Sequence, residues 1–166
     1  MATESVERYD VAQICMNGHV INDSTQEYPH RNRKHCHKCG KPTITTCPDC
    51  GFDIRGEYIM REPFIRTEAF PAPAFCENCG TPYPWTKLAL DAARELTDQM
   101  PNLTDTEKAE VKADLDDLVV DSPRTKLAAS RVKRLLAKAG GELPGMFREV
   151  VVSIASDAAK KAFLGG

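Results

Sequence analysis

The sequence predicts an α+β fold in two parts, and three observations carry the prediction. All seven cysteines fall within residues 11–85, six of them in Cys-x-x-Cys-Gly turns beside the short apolar runs that form small β-hairpins. From residue 86 onward cysteine is absent, Ala, Leu, Lys and Asp take over, and apolar residues recur at helical spacing. Pro82-Tyr83-Pro84-Trp85 lies between the two patterns. The expected division is residues 1–85 as hairpins and cysteine knuckles and residues 86–166 as about four helices.

Composition narrows the class. A chain of 166 residues with 42% hydrophobic content suits one compact domain or two small ones. No apolar run approaches the roughly 18 residues of a spanning helix. Residues 1–13 are polar and acidic, unlike the basic start and apolar middle of a signal peptide, so a cytoplasmic protein is expected. In that reducing compartment an odd number of cysteines points to metal in preference to disulfides. The formal net charge of -2 argues against a simple polyanion binder. Zinc strengthens that argument, since three thiolates and a histidine around the ion carry -1 and four thiolates carry -2.

The first ligand turn is entered by Val11-Ala-Gln-Ile-Cys15 and left by Val20-Ile21, the arrangement of a strand pair around a metal. Gly18 stands where a second cysteine would, so the bond passes to His19. The remaining turns are Cys36/Cys39/Gly40, Cys47/Cys50/Gly51 and Cys76/Cys79/Gly80. Two intervening residues let both thiolates face one tetrahedral ion about 2.3 Å from each sulfur, and the glycine accepts the positive φ that brings N–H groups toward the sulfurs. Eight ligands predict two structural Zn2+ ions. Pairing adjacent turns would put Cys36, Cys39, Cys47 and Cys50 on one ion and leave Cys15 and His19 to reach Cys76 and Cys79 from far along the chain. Sequential pairing puts Cys15, His19, Cys36 and Cys39 in site one and Cys47, Cys50, Cys76 and Cys79 in site two. His35 and His37 flank Cys36 and compete with His19 for the fourth place. A redox dithiol needs a βαβ setting that is missing here.

Lys34-His-Cys36-His-Lys-Cys39-Gly-Lys-Pro-Thr-Ile-Thr-Thr-Cys47-Pro-Asp-Cys50-Gly resembles the junction of double zinc ribbons, where the last knuckle of one ribbon runs through a short linker into the next. That resemblance supports sequential pairing. Residues 9–85, with Tyr9-Asp-Val-Ala-Gln-Ile-Cys15, Asn17-Gly-His19 and Pro82-Tyr-Pro-Trp85, are similar to a family of small bacterial proteins of uncharacterised function, in which an N-terminal double zinc ribbon precedes a helical region. The resemblance implies a fold and a metal, and no activity. Gly18/His19 departs from the commonest ribbon pattern.

Between Gly51 and Phe75 the alternation of Phe52 and Ile54 with Asp53 and Arg55 predicts a hairpin, turned at Gly56 before Tyr58-Ile59, while Pro63, Pro71 and Pro73 exclude a continuous central strand. The aromatic set Phe52, Tyr58, Phe64, Phe70, Phe75, Tyr83 and Trp85 is expected in packing. Arg31, Arg33, Lys34, Lys38 and Lys41 form a basic patch around site one, with His30, His35 and His37 beside it, read either as a solvated loop or as a polyanion contact.

In the second part, Leu88, Ala92, Ala93, Leu96 and Met100 mark a first helix after Thr86, stopped by Pro101. Thr104-Asp-Thr-Glu107 is a capping box for a second, with Val111, Leu115, Leu118 and Val119 inward. Ser122-Pro123 opens a third, whose stripe is Leu127, Val132, Leu135, Leu136 and Ala139, closed by Gly140-Gly141. A fourth is expected over residues 143–164, with Phe147, Val150, Val151, Ile154, Ala158 and Ala162 inward and Val152, Ala159 and Phe163 widening the face toward core or interface. Residues 91–121 hold ten acidic and three basic side chains, and residues 122–166 nine basic and three acidic, so opposite charges favour mutual docking. Arg131, Arg134 and Lys138 share a flank of helix three and are further polyanion candidates. Gly165-Gly166 reads as a helix cap.

No hydrolytic triad, phosphate loop or carboxylate pair on a known scaffold is present, and a four-ligand zinc keeps no position open for water. The expected function is a non-enzymatic zinc-binding adaptor whose ribbon recognises a protein partner and whose helices dock or form a homo-oligomer. A nucleic-acid-binding regulator is the alternative, and a thiol or zinc-release stress sensor a third.

Overall fold

The computed structural model describes residues 7–60 and 69–164, so Pro63, Phe64 and Gly165-Gly166 lie outside the described residues. The chain divides into two compact units, Met1–Trp85 and Thr86–Gly166. Among the described residues no helix is long and apolar enough to cross a membrane. The α+β architecture is small β-hairpins with cysteine clusters followed by helices.

The first unit contains β1 (Arg8–Val11), β2 (Gln13–Cys15), β3 (Val20–Asn22), β4 (Thr43–Ile44) and β5 (Arg55–Ile59). The three-stranded sheet runs β3-β2-β4, all antiparallel, with Ile14 opposite both Val20 and Ile44. β2 is buried throughout because it is the central strand of this sheet. Its Ile14 joins Ala12, Cys47, Ile54, Cys76, Tyr83 and Trp85 in one apolar cluster, where Tyr83 and Trp85 stack with ring centroids 4.7 Å apart. Phe70 is partly buried against the same cluster, whereas Phe52 faces solvent.

Gly56 makes no turn. It sits inside β5, which pairs antiparallel with β1 from the far end of the unit, Tyr9 opposite Tyr58. The chain passes over it so closely that a Cβ there would meet the Asp23 carbonyl oxygen at 2.2 Å and the Ala12 nitrogen at 2.9 Å. Glycine is required here for close backbone approach, and alternation alone does not distinguish that use from a turn. Buried polar groups fix the crossing segment. The Asp10 carboxylate accepts from the amides of Val11, Gln26 and Glu27, and Asn22 Nδ2 donates to the Tyr28 carbonyl at 2.8 Å and to Asn32 Oδ1 at 2.6 Å.

The second unit is built from α1 (Pro84–Asp98), whose first two residues belong to the first unit, α2 (Asp105–Val119), α3 (Thr125–Ala139), α4 (Leu143–Val152) and α5 (Asp157–Leu164). The capping box of α2 forms as its sequence dictates, Thr104 Oγ1 accepting from the Glu107 amide and the Glu107 carboxylate from the Thr104 amide. α3 is central, packing against α2, α4 and α5. Its buried stripe is Ala128, Val132, Leu135, Leu136 and Ala139, while Leu127 faces out at 53% exposure, as does Leu88 of α1 at 54%.

The expected fourth helix is two helices. After Val151 the chain tightens, Ile154 and Ala155 both donating to its carbonyl, and the Ser156 amide then bonds to the Leu118 carbonyl at 3.0 Å. Ser156 Oγ accepts from the Ala159 amide as an N-cap for α5. The break resets the helical phase, so Ala159 and Phe163 are buried in place of Ala158 and Ala162. That accounts for a face too wide for one helix.

The segregated charges meet as an antiparallel ladder. Arg124 bonds Asp117 at 2.9 Å, Arg131 holds Asp114 through both Nε and Nη2, and Lys138 lies 2.6 Å from Glu107 Oε1, so three cations seven residues apart, from the N-cap of α3 to its last turn, face three carboxylates of α2. The Asp114 carboxylate is the buried rung, at 2% exposure. Removing its partner with Arg131→Ala should cost about 3 kcal/mol, because an unpaired carboxylate is left in the interior, whereas Arg124→Ala on the exposed rung should cost at most about 1 kcal/mol. Denaturant titrations followed by circular dichroism check this, and equal losses would contradict it. Lys138 also holds the Glu107 carboxyl below its ordinary range. A lowered pKa means that its contribution is present above about pH 4.3 and lost as pH falls through the folded value. Glu107→Gln should therefore flatten the acid limb of stability against pH.

Candidate metal centres

Three knuckles share one backbone pattern. The amides of Cys36, Cys47 and Cys76 donate to the carbonyls of Lys41, Phe52 and Thr81, and each turn is closed by a glycine amide, of Gly40, Gly51 or Gly80, donating back to its first cysteine at 2.8 Å. The fourth knuckle is one residue tighter. Cys15 N–H donates to the His19 carbonyl and Gly18 N–H to the Cys15 carbonyl, so glycine occupies the second-ligand position and the longer imidazole reaches in from the next residue. Gly18 has φ +87°, and a Cβ on it would stand 2.9 Å from Trp85 Cβ. Trp85 is itself held by its Nε1 donating to the Pro73 carbonyl.

These turns bring eight donors into two groups. The ligand atoms of Cys15, His19, Cys36 and Cys39 lie within 4.8 Å of one another, as do those of Cys47, Cys50, Cys76 and Cys79. Cys39 and Cys47 thus belong to different groups. His35 and His37 are exposed and belong to neither.

The spacing within each group tests the fit to a metal. Thiolates about 2.3 Å from a common ion stand about 3.8 Å apart along the edges of a tetrahedron, and a thiolate and an imidazole nitrogen about 3.6 Å apart. The sulfurs of Cys47 and Cys79 are 3.8 Å apart, those of Cys50 and Cys76 3.7 Å, and those of Cys15 and Cys39 3.7 Å. His19 Nδ1 is 3.5 Å from both Cys15 Sγ and Cys36 Sγ. A disulfide would need about 2.05 Å, and all seven cysteines are free. The donor sets fit two tetrahedral ions.

Amide donors prepare the sulfurs for that charge. His19 N–H points at Cys15 Sγ at 3.3 Å, Lys38 N–H at Cys36 Sγ at 3.4 Å, and Asn78 Nδ2 at Cys50 Sγ at 3.6 Å. The Cys79 amide, aided by that of Asn78, draws the Cys76 thiol down to about 6, while burial pushes Cys47 up to about 11. Thr81 lowers Cys79 through its hydroxyl and its amide. Asn78 and Thr81 escaped the sequence reading, although both lie within or beside the last knuckle.

Residues 8–163 match a family described as an uncharacterized protein conserved in bacteria (DUF2321). The chain belongs to this family. The match spans both the cysteine-cluster unit and the helical unit of this chain. No curated protein and no solved structure matches the chain.

The polyanion candidates fall into two sets. Arg131 and Lys138 are engaged by Asp114 and Glu107 on α2, and Arg134 is exposed beside them. Arg31, Arg33, Lys34, Lys38 and Lys41 are all exposed. The contact of Gly18 with Trp85 also went unread, although Gly18 in place of a cysteine marks an unusual turn. Gly18→Ala should destabilise the first unit by about 2–3 kcal/mol, through positive φ and collision with Trp85. Gly40→Ala, with φ +70° and nothing within 4 Å, should cost only about 1 kcal/mol. Unfolding followed by the fluorescence of Trp85, the single tryptophan, reads the difference.

Proposed function

We propose that the chain is a non-catalytic adaptor in which two structural zinc ions close the ribbon and hold its surface rigid for a partner, with the helical unit as a docking or oligomerising element. The spacing of the donor groups carries this reading. Every tetrahedral corner is filled by a protein ligand, and such closed sites support structure, whereas catalytic zinc keeps a corner for water. Thiolate-rich tetrahedral sets favour zinc among the available divalent ions, and one imidazole in the first set suits it equally. Reduced thiols in this number accord with a cytoplasmic setting.

The metal would supply folding energy. The apolar cluster of the first unit is small and counts ligands Cys47 and Cys76 among its members. A structural zinc contributes on the order of 10 kcal/mol, enough to offset the ordering of loops that such a cluster cannot fix.

Purified protein should contain two zinc ions per chain by elemental analysis. Cys47→Ser should lower that to one, and a strong chelator should disorder the cysteine unit while the helical circular dichroism survives. A metal-free native protein, or loss of the helix signal together with the metal, would overturn the proposal.

A further inference from the structure

We propose that the face of the ribbon formed by residues 28–48 is a binding site for single-stranded nucleic acid. This rests on the zinc-stapled reading above and names the partner of that surface. The 21-residue stretch from Tyr28 to Pro48 holds five Lys or Arg and three His and no acidic residue, in a chain whose net charge is -2. Even a first site carrying -1 beneath it leaves this face strongly positive.

Among the described residues no ion pair engages Arg31, Arg33, Lys34, Lys38 or Lys41, whereas Arg124, Arg131 and Lys138 are each matched to an acid on α2. The depression beside Arg131 and Arg134 also contains Glu110 and Asp114, so it neutralises itself. The corresponding depression on the ribbon, about 360 Å³, is lined by Gln13, Asn32, Arg33, Lys34 and Thr43, without an acidic member.

The backbone under these charges is fixed. Arg33 N–H donates to Gln13 Oε1, Thr43 N–H to the Lys34 carbonyl, Thr43 Oγ1 to the Arg33 carbonyl and Cys36 N–H to the Lys41 carbonyl. Arg33 Nη1 donates to the carbonyls of His30 and Asn32, which anchors an otherwise exposed side chain. A phosphate chain meets cations carried on an already ordered backbone, so binding orders only their side chains.

A stacking element selects single strands over other polyanions. Tyr28 is 40% exposed, Arg31 Cζ lies 4.3 Å from its ring centroid, and His30 meets the ring edge-on at 6.2 Å. Aromatic rings and guanidinium planes of this kind stack unpaired bases, which a duplex hides and a lipid headgroup lacks.

The test uses full-length zinc-loaded protein and a labelled single strand of about 16 nucleotides, read by fluorescence anisotropy. Five phosphate contacts imply an affinity loss of about 100-fold between 50 and 200 mM salt. Arg33→Gln/Lys34→Gln/Lys41→Gln should keep both zincs, bind at least about 10-fold more weakly and lower the salt slope by about 2. Arg31→Gln with Tyr28→Ala should weaken binding with a smaller change in slope, and Lys126→Gln/Lys160→Gln should change nothing. Equal affinity for the duplex, or binding confined to heparin or to anionic vesicles, overturns the proposal. So does no binding at 50 mM salt by a protein that holds two zincs, a result that leaves the structural-zinc reading standing. Absence of zinc overturns that reading instead.

Discussion

The first unit depends on the edge length of a tetrahedron. The four donors of each group lie within 4.8 Å of one another, with neighbouring pairs 3.5 to 3.8 Å apart, and the surrounding backbone is shaped to deliver them. Glycines with positive φ close each turn, amides lean toward the sulfurs, and strand β2 runs directly into Cys15. Cys47 and Cys76 are core residues as well as donors, so the donor groups and the apolar cluster are parts of one object. A substitution in the cluster moves the sulfurs, and a substitution at a sulfur opens the cluster.

The helical unit solves a different problem with different means. Its interior is aliphatic apart from Phe147 and Phe163, and α2 and α3 are matched in charge as well as in apolar packing. Arg124, Arg131 and Lys138 recur every seven residues, while Asp117, Asp114 and Glu107 do not. The uneven acidic spacing means that sliding one helix along the other breaks more pairs than it makes. Exposed rungs contribute little to stability but disfavour other alignments, and the buried Asp114 with Arg131 is the rung most costly to misplace.

Much of this was legible in the sequence because it is local. Ligands three or four residues apart announce a knuckle, and Thr104 with Glu107 announces a cap. What escaped was contact between distant segments. Nothing near Gly56 says that Asp23 crosses above it, and nothing near β1 says that its partner lies more than forty residues away. Trp85 against Gly18 is a contact of the same kind. The split of the last helix was within reach: Ser156-Asp157 is an N-cap signal, and an apolar face too wide for one helix is what two helices out of phase produce. Leu127 and Leu88 were misassigned because a periodic stripe shows which residues share a face without marking how far that face is covered.

The bond from Ser156 N–H to the Leu118 carbonyl has a consequence for how the chain matures on the ribosome. The end of α2 is completed only by residues made much later, whereas the last donor of the cysteine unit, Cys79, precedes every residue of α2. At about 5–20 residues per second, several seconds of translation separate Cys79 from Ser156. The knuckles can therefore gather their donors while the helical unit still lacks the strap that finishes it. The two units are born in order, and the donors of the first are all made before the second can close.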